Sequence, residues 1–249
     1  MLNSQKLFSI SGALVLALTA FAGVSVSAAN FSKADDKKVS RKVRVEAPLN
    51  LAILIQDDLV ARVGNELPVT GEFIRSLPAG SRVMIGYIRS GSLQVRQPFT
   101  DDLERAVKAL RMPVASETAS PYNPYVEVIE ALRKFDEKSA NRNAILLISD
   151  GLDVSRGFDV TSAGMTLDLE RAIREANRRN VAVYSFYAPS VGLTSTSRRA
   201  ASYGQSSLNR LSNETGGRAF FQGTTSYVSF DPYFDRLRQA LNEQYARAY

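Results

Sequence analysis

None of the 249 residues is cysteine, histidine or tryptophan. The absence of cysteine removes disulfides, thiol nucleophiles and lipid attachment through a thiol. The absence of histidine removes Cys/His zinc sites and any Ser-His-Asp triad. Chemistry is left to Asp, Glu, Lys, Arg, Ser, Thr and Tyr. No glycine-rich phosphate loop follows a strand. The sequence also lacks internal repeats and low-complexity tracts. What is present is ordinary for a globular protein, with 45% hydrophobic and 22% charged residues. The length suffices for one large domain with a full core.

The first residues read MLNSQKLFSISGALVLALTAFAGVSVSAAN. Lys6 supplies a positive start, Leu7 to Gly23 is apolar, and Val26-Ser27-Ala28 suits cleavage after small residues. This predicts an export signal over residues 1–28; an uncleaved membrane anchor is the other reading. Cleavage removes a single charge, Lys6, and takes the net charge from +6 to +5. The mature chain is then expected outside the cytoplasm, periplasmic or secreted, with no stable membrane span. A cysteine-free chain suits such an oxidising space. Residues 29–47 are polar and rich in both charges, which predicts a flexible basic linker. Nucleic acid is not expected as a partner, because no basic helix face or aromatic-basic interleaving is present.

From Leu49 onward strands alternate with helices. LNLAILIQ, AILLIS (Ala144 to Ser149) and VAVYSFY (Val181 to Tyr187) are apolar on both faces, as parallel strands covered on both sides must be. RVMIGYIR and LQVRQPF flank Ser90-Gly91, a hairpin turn, and Pro98 assigns the second arm to a sheet edge. Helical stripes run through Leu103 to Leu110, Tyr125 to Leu132, Leu169 to Ala176 and Phe230 to Leu241. Asp101 and Asp102 stand where the first of these needs a cap. Pro68 predicts a late start or a break in the helix after the first strand. The pattern is an α/β doubly wound fold over residues 48–249. In such folds ligands bind beyond the carboxyl ends of the strands. Both ILIQDD and LLISDGLD place acids there.

Several stretches in series resemble the von Willebrand factor type A domain. They are ILIQDD, SLPAGSRVMIGYI, QPFTDDLERAVKAL, NPYVEVIEALRKF, AILLISDGLDVS and LNRLSNETGGRAFF followed by FDRLRQALNEQY. They span roughly Leu49 to Tyr245, and the likeness is nearest to an acidobacterial-type subgroup of exported bacterial proteins. The resemblance implies a mostly parallel six-stranded sheet in the order 3-2-1-4-5-6 with an antiparallel edge strand. It also implies a binding role. Members of the family often hold a divalent ion through Asp-x-Ser-x-Ser after the first strand, a Thr from a second loop and an Asp after the fourth strand. An acidic partner residue completes that shell.

This sequence departs from the metal pattern. One register gives Gln56, Asp58 and Val60; the other gives Asp57, Leu59 and Ala61. The threonine loop offers Ser120 or Tyr122, and only Asp150 matches cleanly. A degenerate adhesion site without a standard metal or other cofactor is therefore expected. Any metal would fall to Asp58 and Asp150. Ca²⁺ on a looser cluster with Asp57 and Asp153 is the alternative, and capping of the following turns is a further role for these acids.

No enzymatic activity and no catalytic residue is expected. A receiver-type site needs a lysine after a later strand, and APSVGLTSTSRR has none. Adjacent acids such as Asp57 and Asp58 point in opposite directions along an extended chain, which does not suit paired-carboxylate catalysis. The expected function is protein binding through the strand-end loops, by Gln56, Asp57, Asp58, Ser120, Tyr122, Asp150, Asp153 and Tyr203. The loops SETASPYNPY and APSVGLTSTSRRAASYGQSS, the second with Arg198 and Arg199, have a Tyr/Ser/Gly/Arg composition suited to contact. Solvation of a long loop is the alternative for Tyr122 and Tyr203, while Tyr125 belongs to the core. The alternative functions are a metal-dependent adhesion domain and a structural scaffold in an envelope complex.

Overall fold

A computed structural model of the chain describes residues 43–136, 142–155, 157, 166–223 and 228–248. The expected signal and most of the expected linker lie outside the described residues. The strands are β1 (Leu49–Gln56), β2 (Arg82–Arg89), β3 (Ser92–Thr100), β4 (Arg142–Ser149), β5 (Val181–Tyr187) and β6 (Ala219–Phe220). The helices are α1 (Leu67–Arg75), α2 (Leu103–Lys108), α3 (Pro124–Leu132), α4 (Leu167–Arg178), α5 (Leu193–Thr196), α6 (Arg198–Glu214) and α7 (Asp231–Ala248). Short 3-10 turns occupy Ala61–Glu66 and Glu117–Ala119.

The strands form one sheet in the order β3-β2-β1-β4-β5-β6. All neighbours are parallel except β2 and β3. β1 lies at the centre, where the chain order reverses. Its alternating side chains feed two cores. Leu51, Ile53 and Ile55 pack with Phe73 of α1 and with Phe234 and Leu237 of α7. Ala52 and Leu54 pack with Tyr125 and Val128 of α3, Leu169 of α4 and Leu208 of α6. Phe186 of β5 sits among Phe220, Phe230, Tyr233 and Phe234.

Local chemistry explains the boundaries. Ser90 and Gly91 both have positive φ, 49° and 71°, as the tight turn between β2 and β3 requires. Asp102 caps α2 by accepting from the Arg105 amide at 2.9 Å. Pro68 falls in the first turn of α1, where its missing N–H costs nothing.

Two expectations change. The stretch containing Arg198, Arg199 and Tyr203 is not a loop, because α6 runs through it for 17 residues. Its buried face is made of Ala200, Ala201, Gly204, Ser207, Leu208, Leu211 and Ser212. Small residues there leave too weak an apolar stripe to read as a helix. The end of the expected linker also packs. Val45 and Ala47 are buried. The Glu46 amide donates to Asn242 Oδ1 at 3.1 Å, and Asn242 Nδ2 donates to the Arg44 carbonyl at 2.8 Å.

Candidate functional site

At the carboxyl end of β1 the chain carries Gln56, Asp57 and Asp58, all buried. The two acids lie in the turn that follows β1 and are held by different partners. Asp57 turns toward β2. Arg111 grips it with Nη1 to Oδ1 at 2.6 Å and Nη2 to Oδ2 at 2.9 Å, and the Val114 amide adds 3.0 Å to Oδ1. Arg89 approaches at 3.7 Å. The Arg111 guanidinium lies 4.0 Å from the Tyr87 ring centroid, a cation–π contact. With its carboxylate fully buried behind Arg111, Asp57 offers nothing to a partner; it anchors the 111–115 segment.

Gln56 and Asp58 turn the other way, toward β4. Gln56 Oε1 accepts from Ser149 Oγ at 2.5 Å and from the Asp150 amide at 3.2 Å. That backbone donor fixes the orientation of the side-chain amide. Nε2 must then face Asp58, to whose Oδ1 it donates at 2.7 Å. Asp150, directly after β4, accepts at Oδ2 from Ser190 Oγ at 2.6 Å and Thr194 Oγ1 at 3.2 Å. Its Oδ1 accepts from the Leu152 amide at 3.1 Å. The Val191 amide donates to the Asp58 carbonyl at 2.8 Å. A polar network thus ties β1, β4 and the segment after β5 together.

Burial raises both acids. Asp58 is pushed up to about 7, first by loss of solvent and then by the charge of Asp150. Asp150 is raised by its burial, against the opposing pull of the Ser190 hydroxyl.

Above these acids lies a crevice of about 340 Å³, lined by Gln56, Asp58, Glu117, Ser120, Pro121, Asp150, Leu152, Val154, Ser190, Val191 and Leu193. Of the expected partner-contacting residues, Gln56, Asp58, Ser120 and Asp150 gather here. Tyr122 stands at the rim, 61% exposed with φ 61°, and its carbonyl accepts from the Val154 amide at 2.6 Å. Asp153 turns inward on itself, accepting from the Ser155 amide at 3.0 Å and its hydroxyl at 2.6 Å. Tyr203 is half-buried on α6. Tyr125 is core, and its hydroxyl donates to the Gly151 carbonyl at 2.6 Å.

Residues that the sequence did not single out hold the site in shape. Ser149, Ser190 and Thr194 supply its hydroxyl donors, and Arg111 neutralises Asp57. Gly204 lets α6 approach: a Cβ there would lie 1.9 Å from the Asp150 carbonyl oxygen. Gly151, at φ 73°, faces the Gly204 carbonyl in the same way, with a Cβ at 2.4 Å. Ser149 and Gly151 flank Asp150 in the stretch AILLISDGLDVS; no motif marks Arg111, Ser190, Thr194 or Gly204.

A divalent ion does not fit this donor set. Mg²⁺ demands a near-octahedral shell of about six oxygens. The Gln56 oxygen is engaged by Ser149 and the Asp150 amide, and its N–H side faces Asp58. The Val60 side chain brings no oxygen, and both Asp150 oxygens already accept from protein donors.

No protein-family model matches the chain, and neither does any curated protein. Solved structures do. An aerotolerance-related membrane protein from Bacteroides fragilis aligns over 78% of this chain and 99% of its own, at 13% identity and a TM-score of 0.55. The protein BatB from Bacteroides thetaiotaomicron aligns over 81% of this chain and 100% of its own, at 13% identity and a TM-score of 0.53. Proximal thread matrix protein 1 from the mussel byssus aligns over 79% of this chain and 48% of its own, at 8% identity and a TM-score of 0.53. At such identities the likeness is one of fold: the chain shares with these proteins an α/β architecture, here a six-stranded sheet in the expected order β3-β2-β1-β4-β5-β6.

Proposed function

We propose that the protein is an exported, non-enzymatic binding module that contacts a protein partner through the carboxyl edge of its sheet without a metal ion. One observation carries this reading: the crevice at the switch point between β1 and β4, with Tyr122 exposed at its rim. Open α/β sheets bind ligands at that point. Tyr is a rigid amphipathic anchor well suited to protein contacts. Perturbed carboxylates in a cleft also occur at catalytic sites. Here the Asp150 oxygens are held by three protein donors, which argues for a structural floor rather than a proton shuttle. Metal independence is supported by the engaged Gln56 amide and by Val60. The export reading rests on residues 1–28 of the sequence. Among the described residues, no helix is long and apolar enough to cross a membrane.

The test begins with isolation of a partner from the exporting cell. Binding and melting are then measured on the same variants. Tyr122→Ala should weaken binding by more than about 1 kcal/mol, as hot-spot residues do, with little change in melting temperature. Tyr203→Ala should show a smaller effect, since its ring is half-buried on α6. EDTA should change neither quantity. Normal binding by the Tyr122 variant, with loss of binding in Arg174→Ala or Arg178→Ala on α4, would move the contact to the outer helices and favour a scaffold.

A further inference from the structure

The crevice has one-sided chemistry. Among the described residues, its lining includes the carboxylates of Asp58, Glu117 and Asp150 and no basic side chain. Asp58 is 3% exposed, and the one side chain that donates to it, Gln56, reaches Oδ1. Asp58 lines the cavity, and its other hydrogen bond comes from its own backbone amide. A buried carboxylate with two donors and no counter-charge beside it is costly to ionise until a positive group meets it. The walls around it are apolar: Pro121, Leu152, Val154, Val191 and Leu193. A volume of about 340 Å³ admits one long side chain.

Building on the binding-module reading, we infer that this crevice receives a basic side chain of the partner, with its aliphatic stem along the apolar walls and its cation against Asp58. Lysine and arginine are the side chains that combine an apolar stem with a charged tip. An ammonium or guanidinium needs only a few acceptors in loose geometry, whereas a divalent ion needs a nearly complete oxygen shell. Asp150, its oxygens already engaged, contributes charge rather than a contact. The polarity is the reverse of the metal-dependent site implied by the sequence resemblance, where the protein holds the cation and the partner brings the acid.

The experiment uses amide-detected NMR titration of the full chain with four probes: acetyl-lysine methylamide, acetyl-arginine methylamide, the neutral acetyl-norleucine methylamide, and MgCl₂. Saturable shifts at the Gln56 side-chain amide and the Leu152 and Val191 amides are expected with a basic probe. Norleucine should bind at least tenfold more weakly, and Asp58→Asn should weaken the basic probe by a similar factor. A second variant guards against misfolding of the first. Leu193→Lys places an ammonium in the crevice from within, and should raise the melting temperature while abolishing probe binding. Equal binding of norleucine would reduce the crevice to an apolar pocket and overturn the inference. So would saturation by Mg²⁺ with no response to either basic probe. If no probe binds while Tyr122→Ala still weakens the partner, the inference falls and the edge-binding reading stands.

Discussion

Two adjacent aspartates in the turn that follows β1 have opposite fates. Asp57 is sealed behind Arg111 with its side chain fully buried. Removing one partner of such a pair leaves an uncompensated buried charge. Arg111→Ala should therefore cost about 3 kcal/mol or more in urea unfolding, and Asp57→Asn in the same background should restore part of it. Strictly additive losses would show that the pair is not coupled. Asp58 and Glu127 have a different signature. Burial pushes both up to about 7 from ordinary values of 3.8 and 4.5. Between those values the native chain keeps protons that the unfolded chain has released. Stability then falls as pH rises through the window and levels off above about 7. At about 1.4 kcal/mol per pKa unit, each group accounts for a drop on the order of a few kcal/mol. Urea midpoints at about pH 5 and about pH 8 capture the upper part of the combined drop. Glu127→Gln, which removes an acid with an unpartnered buried Oε2, should show a smaller drop, and an undiminished one would exclude Glu127 as a source.

Among the elements, α6 sets the geometry of the site. Gly204 is where the helix touches the Asp150–Gly151 backbone. Gly to Ala inside a helix normally adds about 1 kcal/mol of stability. Here the added Cβ would meet a carbonyl oxygen at 1.9 Å, and backbone cannot move aside as a flexible side chain would. Gly204→Ala should lower the melting temperature and shift the Leu152 and Val191 amide resonances; a stabilised variant with an unmoved crevice would contradict this account. The same element shows where sequence reading succeeds and stops. β1, β4 and β5 were legible because strands buried on both faces must be apolar throughout. α3 and α4 were legible because large apolar residues recur at helical spacing. α6 was not, because a helix that packs through Ala, Ser and Gly has the composition of a loop. At the site, Gln56, Asp58 and Asp150 could be placed from their position at strand ends, and Ser120 from the threonine loop that the resemblance implies. The partners that decide their chemistry, Arg111, Ser190 and Thr194, come from distant segments and carry no local mark. Asp57 was expected to contact a partner because nothing near it in sequence announces Arg111.

For the molecule as a whole, the described domain begins before β1. Val45 and Ala47 are buried, and Asn242 of α7 bonds the backbone of residues 44 and 46. A chain starting at Pro48 should melt several degrees below one starting at Val43. Equal melting temperatures would mean that this contact adds nothing. The sheet order has a kinetic consequence. β1 pairs with β4, so Leu49 lies opposite Arg142 and the two are separated by 93 positions (142 − 49 = 93). The crevice then waits for Ser190 and Thr194, and for Gly204 to seat α6. Closing loops of that length costs conformational entropy before any contact is gained, and folds built on distant pairings form slowly. The proposed binding edge is therefore among the last features to exist on a newly made chain. A partner that recognises it recognises completed folding, and cannot capture the chain while β4 and α6 are still to come.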